Sequence, residues 1–219
     1  MTCEIVLKPR AVTRRGSENF RESIISASVE LGSQLGEDGL TMRGIASKLG
    51  VSATALYQHF DSKSAILREI RFHGVDRLWG AIGATATIDD PYARTVAIAE
   101  RYLEFAIANP WLYTVLMEHE QVDWSSLDEA EMQRMIRPLL FVQETLKQGQ
   151  RCGAWRGELD PEMGAFRLWT AVHGLSSLII NGRLDERHPV FPLRDGATYI
   201  RQFIHAVVAS LGSITYGGG

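Results

Sequence analysis

The sequence predicts an all-α fold, a three-helix unit near the N-terminus followed by a larger helical bundle. Two observations carry this expectation. Apolar residues recur three and four positions apart through most of the chain, the spacing of one helix face, and no strand pattern competes. Two short helical stretches around residues 41–60 are joined by a tight turn at Gly50-Val51.

Residues 1–16 read as a flexible basic arm containing Pro9, Gly16, Lys8, Arg10, Arg14 and Arg15. Such an arm can reach phosphates or a minor groove, and can equally have no role. Arg21 joins this basic group although it is already helical. The first helix is expected from Ser17 to Leu35, with Ser17 as its cap and Phe20, Ile24, Ala27, Leu31 and Leu35 as its inward stripe. Gly36 and Gly39 punctuate its end.

Thr41 can cap the next helix, in which Ile45, Ala46 and Leu49 share a buried face. Gly50 supplies the left-handed residue that ends it, Val51 plugs the corner, and Ser52 can cap the following helix. There Leu56 and Phe60 face inward together, leaving Ala53, Thr54, Ala55, Tyr57, Gln58 and His59 on or beside the other face. This is a helix-turn-helix reading, whose second helix enters the DNA major groove.

The outer face suits that role. Ala53, Thr54 and Ala55 are small enough for close approach, their methyls match thymine methyls, and Gln58 can pair with adenine. Tyr57 and His59 can donate to phosphate oxygens, which position a protein without reading sequence. Lys63, at the start of the next helix, can hold a phosphate together with that helix N-terminus. Arg43 is a candidate for a phosphate or a base edge, and Thr41 and Ser52 complete the candidate DNA-contacting set. A helical hairpin with an ordinary polar surface fits the same spacing.

Residues 20–67 resemble the N-terminal domain of the tetracycline-repressor (TetR) family of bacterial regulators. The matches are Ile24 and Ala27, then Gly39-Leu40-Thr41, Ile45-Ala46, Leu49-Gly50-Val51-Ser52, Leu56-Tyr57-Gln58-His59-Phe60, Ser62-Lys63 and Ile66-Leu67. Thr54 departs from the family's frequent Gly or Pro, and Ser28 replaces the second Ala of a usual pair. Because Thr54 lies on the reading surface, no relative's operator can be transferred to this chain. The resemblance implies a sequence-specific transcriptional regulator, a repressor released from a palindromic operator by a small molecule. It also implies that the next helix couples ligand binding to DNA binding, whereas a rigid strut needs no second state.

That connecting helix is expected over 62–84, after a DNA-binding domain at 17–61. Residues 85–216 form a helical ligand-binding and dimerisation domain, and 217–219 a flexible end. In this domain Asp89-Asp90-Pro91 opens a helix to about Ala108, and a short one follows from Trp111 to Met117. Ser125 or Ser126 caps the next, to about Gln150, with Pro138 predicting a kink or break. Asp160-Pro161 opens another to about Asn181, and the last runs from Arg194 to Leu211.

The last two helices carry apolar residues on more than one side, Phe166, Trp169, Val172, Leu175, Ile179 and Ile180 on one of them. Tyr199, Ile200, Phe203, Ile204, Val207, Val208 and Leu211 stand on the other. Pairing two such hairpins gives a homodimer with two recognition helices facing one side of a duplex. Leu168-Trp169-Thr170-Ala171-Val172-His173-Gly174-Leu175, continuing to Asn181-Gly182-Arg183-Leu184, resembles the Trp-His-Gly type of C-terminal domain in part of the family. Candidate ligand contacts are Tyr102, Phe105, Trp111, Tyr113, Met117, Phe141, Trp169 and His173, implying an apolar or aromatic small molecule. Ordinary core packing predicts the same side chains, and His173 is expected more as a core residue bonded to a backbone carbonyl than as a ligand contact.

Net charge is −3, unevenly divided. Residues 1–75 hold 10 Lys and Arg against 8 Asp and Glu, and the remainder 13 against 18, so the basic excess lies at the DNA-binding end. No run approaches the roughly 20 apolar residues that span a bilayer, and the N-terminus lacks a signal-peptide core. A cytoplasmic protein without membrane contact is expected. Cys3 and Cys152 have no particular reason to pair, and no Cys and His cluster stands at zinc spacing. Glu118-His119-Glu120 and Asp123 are ligand-type side chains, but a solvated helix end explains them more simply. Without a phosphate loop, a nucleophile elbow or a metal-protease His pair, no enzyme, cofactor or metal is expected.

Overall fold

The computed structural model describes residues 14–117, 124–155, 159–190 and 193–212. The arm up to residue 13 with Cys3, the stretch Glu118–Asp123 and the end at 217–219 lie outside the described residues. Those described are helical, without a strand: α1 (Arg14–Gly39), α2 (Met42–Leu49), α3 (Ala53–Tyr57), α4 (Lys63–Gly83), α5 (Pro91–Ala108), α6 (Pro110–Met117), α7 (Glu129–Arg151), α8 (Pro161–Ile180) and α9 (Gly196–Ser210). Short 3-10 turns follow α4 at Ala84–Thr87 and precede α7 at Trp124–Ser126. The chain divides into two compact units, Met1–Ile70 and Arg71–Gly219, the division falling inside α4.

In the first unit α1 packs on α2 and α2 on α3. Ile24, Leu40, Ile45, Leu56 and Phe60 form its core, joined by Ile66, Leu67 and Ile70 of α4. Arg14 and Arg15 belong to α1 and not to the arm. Leu35, expected in the inward stripe, is 60% exposed. Gly36, at φ 72 and ψ −176, interrupts α1 just beyond it. The chain then turns so that Leu40, fully buried, fills the core instead.

In the second unit α5 is central, packing against α6, α7, α8 and α9, while α8 also meets α7 and α9. Asp90 caps α5, its carboxylate accepting from the Tyr92 and Ala93 amides, and Asp160 caps α8 in the same way. The cap of α7 is Asp128, not Ser125 or Ser126. Its carboxylate accepts from the Glu131 amide at 2.8 Å while Glu131 accepts from the Asp128 amide at 3.0 Å, a reciprocal pair that a serine hydroxyl alone does not offer. Nor does α7 break at Pro138: it runs from Glu129 to Arg151 with the proline inside.

Two buried side chains staple the end of α7. Arg94 donates from Nε to the Ile88 carbonyl and from Nη1 to Gln148, both at 2.7 Å. Trp155 donates to the Val208 carbonyl at 3.2 Å, its ring lying so close to Gly149 that no larger residue fits there. Cys152 is exposed, its Sγ resting on the Gly149 carbonyl. Of the expected dimer surface, Val172, Leu175, Ile204, Val208 and Leu211 are buried within the chain, whereas Phe166, Trp169 and Tyr199 are exposed. Among the described residues no helix is long and apolar enough to cross a membrane, and no three His, Cys, Asp or Glu side chains are grouped to hold a metal.

Candidate nucleic-acid interface

The α2–turn–α3 corner is built from local chemistry. Thr41 is extended (φ −126, ψ 152), and its hydroxyl accepts from the Gly44 amide at 3.0 Å, starting α2. At the other end the Val51 amide donates to the Ala46 carbonyl at 3.0 Å and the Gly50 amide to Ser47 at 3.2 Å. This pair of bonds is a Schellman motif, which needs a left-handed residue, and Gly50 supplies it at φ 67 and ψ 30. Ser52 then starts α3, accepting from the Ala55 amide at 3.3 Å. Each cap spends an acceptor lone pair and leaves the hydroxyl hydrogen of Thr41 and Ser52 able to donate to a phosphate.

α3 spans five residues and buries Leu56 beneath it. Outward stand Thr54, Gln58 and Tyr57, the last 51% exposed, with Ala53 and Ala55 half-buried at the margins. Arg43, Thr41 and Ser52 are also exposed. These residues present hydroxyl, amide, phenol and guanidinium groups with no bulky aliphatic side chain among them, a surface able to approach base edges.

Two expected contacts also touch α1. The His59 ring is half-buried and meets Phe20 of α1 edge-on at 5.0 Å. Lys63 donates from Nζ to the Glu37 carbonyl at 2.7 Å, with the Glu37 carboxylate 3.9 Å away. Sequence spacing places Lys63 at a helix N-terminus but does not show that the end of α1 comes alongside. Ser62 caps that helix through the Ala65 amide at 3.1 Å.

Arg21, grouped by sequence with the basic arm, turns inward. Its Nη1 donates to the His59 carbonyl at 2.7 Å, its Nη2 bonds Glu69 at 3.0 Å, and its guanidinium lies 4.1 Å from the Phe60 ring centroid. The signal that could have found it is spacing: three residues before Ile24, it shares the core-facing side of α1. Lys48 similarly pairs with Glu30 at 2.7 Å.

In the second unit the structure brings together Tyr102, Tyr113, His173 and Trp169. The Tyr113 hydroxyl, on a fully buried side chain, lies 3.3 Å from the Tyr102 hydroxyl and 2.5 Å from His173 Nδ1. The imidazole sits 5.7 Å from the Tyr113 ring, inclined to it by 28°, and 5.7 Å from that of Trp169, tilted by 31°. His173 is thus satisfied by a phenol from α6, not by the expected backbone carbonyl. Trp169 ends this run at the surface, 40% exposed. Phe105 is buried, and Trp111 and Met117 are partly so. The Trp111 Nε1–H is buried without an acceptor among the described residues. Phe141 meets Trp79 edge-on at 5.4 Å. On α4, burial and then the Arg77 charge hold the His73 imidazole below its ordinary value of 6.5.

Known proteins resemble both units. Residues 24–70 match the family described as bacterial regulatory proteins of the tetR family, and residues 95–199 match the tetracyclin repressor-like C-terminal domain. An uncharacterized helix-turn-helix-type transcriptional regulator of Mycobacterium tuberculosis is 24% identical over 78% of this chain and 75% of its own length. A similar Bacillus subtilis regulator is 27% identical over 42% of this chain, which spans about half (49%) of that relative. The class D tetracycline repressor of Escherichia coli is 49% identical over 47 residues, 22% of each chain. Among solved structures, a Rhodococcus protein of unknown function aligns at TM-score 0.70 with 20% identity, covering 88% of this chain and 93% of its own. A TetR family regulator from Thermus thermophilus aligns at 0.60 with 20% identity, covering 87% and 97%. These two show the fold. The family match and the curated relatives mark a transcriptional regulator and not an enzyme. With the N-terminal and C-terminal profiles matched in order along one sequence, the chain belongs to the tetR family of bacterial regulatory proteins.

Proposed function

We propose that this regulator is a homodimeric, cytoplasmic repressor that binds a palindromic operator and leaves it when a small, largely apolar molecule binds. The observation that carries the reading is the α2–α3 corner: both helices are capped, the turn is held by Gly50, and α3 exposes Thr54, Tyr57 and Gln58 above a buried Leu56. Gln58 and the small residues read bases, while Tyr57, Arg43, Thr41 and Ser52 hold phosphates. The exposed Phe166, Trp169 and Tyr199 support pairing through α8 and α9. The aromatic group around Tyr113, with the unmatched Trp111 N–H, supports an apolar ligand carrying at least one hydrogen-bonding atom.

Selection of bound duplexes from a random library, at near-physiological salt, tests this. The expected product is an inverted repeat with half-sites about one helical turn apart or somewhat more. Recovery of no motif, with binding that simply fades as salt rises, overturns it. A thermal-shift screen of apolar small molecules, followed by release from the recovered duplex, tests the ligand.

A further inference from the structure

We infer that Arg21 is a positioning residue that orients the recognition helix by tying its C-terminal end to α1 and α4; this rests on the DNA-binding reading above. A helix of five residues has little stability of its own, so its direction is set by what grips its ends. Ser52 grips the start. Beyond the other end, the His59 carbonyl accepts from Arg21 Nη1 at 2.7 Å, and the Phe60 ring lies under the guanidinium at 4.1 Å. The second arm of the same guanidinium reaches Glu69 of α4 at 3.0 Å. Phe20, the neighbour of Arg21, meets the His59 ring from α1.

One planar cation therefore joins three elements, donating from two edges and stacking with its face. Only arginine can do all three at once, because a lysine ammonium has neither the fork nor the flat face. The surface pair with Glu69 has little worth by itself, both side chains being a third or more exposed. Its use here is geometric: the carboxylate fixes the direction from which Arg21 approaches His59.

The experiment compares the unaltered protein with Arg21→Lys, Arg21→Met and Glu69→Gln. The probe is the duplex recovered by selection with the unaltered protein. Arg21→Lys keeps the charge and should weaken binding about tenfold, the scale of one charge-assisted hydrogen bond, with an unchanged salt slope. Without DNA, amides 54–60 should exchange faster in the same variant. Glu69→Gln should act in the same direction, less strongly, and carries the test if Arg21→Lys does not fold. Full rescue by lysine, with the salt slope reduced by about one in Arg21→Met, would make Arg21 a phosphate contact and overturn the inference. Unchanged affinity and unchanged exchange would overturn it too. If the unaltered protein selects no duplex, the DNA-binding reading fails, while exchange at 54–60 still decides the tether.

Discussion

Replacing Gly50 by alanine isolates the energetics of the turn between α2 and α3. The residue sits at φ 67, and a Cβ built on it meets nothing within 4 Å. The substitution therefore adds no clash, and its cost is that of holding an L-residue in the left-handed region, roughly 1–2 kcal/mol. Restricting the unfolded chain offsets part of this, by about 0.4–1 kcal/mol. The net destabilisation should be about 1 kcal/mol, and Gly50→Asn should lose about half as much, because asparagine tolerates this region better. All five tryptophans lie beyond residue 70, so tryptophan fluorescence reports the second unit and misses the effect. Urea-dependent exchange of the Ile45, Ala46 and Leu56 amides reads the first unit directly. A neutral or stabilising Gly50→Ala, or an asparagine no better than alanine, would show that the left-handed backbone is not what glycine supplies here.

Two further outcomes are expected in the second unit. Tyr113→Phe removes a hydroxyl shared with Tyr102 and His173 and leaves His173 Nδ1 without it, which should cost about 1–3 kcal/mol in urea unfolding followed by tryptophan fluorescence. No loss would mean that solvent already satisfies the imidazole. Burial and then Arg77 hold His73 below its ordinary value, against the opposing pull of Asp76. Its folded value lies below 6.5, so its contribution is full above that pH and is lost as pH falls through and below it. His73→Gln should flatten this acid loss relative to the unaltered protein, and equal slopes for the two would contradict the assignment.

The features legible in the sequence are those that neighbouring residues decide. Thr41, Gly50 and Ser52 act on amides and carbonyls within five positions of themselves, so the corner is written in the residues that form it, as are the caps Asp90 and Asp160 ahead of their prolines. The Asp128 cap is also written locally, in its Glu131 partner, but two serines just upstream offer a competing start. Leu35 departs from its expected place because helical spacing assumes an uninterrupted helix, and Gly36 interrupts it. Lys63, His59, Arg21 and His173 share another difficulty. Each is polar enough to serve a ligand, and each is also engaged by an element 26 or more residues away in sequence. Charge and periodicity do not encode which helix comes alongside, so a basic residue near a DNA-reading helix looks the same whether it faces phosphate or protein.

Base reading by the outer face of α3 is the step on which the proposed function turns, and comparing the duplexes selected by the unaltered protein and by Gln58→Ala tests it most directly. Gln58 is exposed just past Tyr57 and has no part in the first unit's core. Both proteins should select the same inverted repeat, with preference relaxed in the variant at one symmetric pair of positions and affinity there reduced by about 1–3 kcal/mol for each bidentate pair removed. An identical motif from both proteins would contradict base reading by α3, as would a uniform loss of affinity across all sequences.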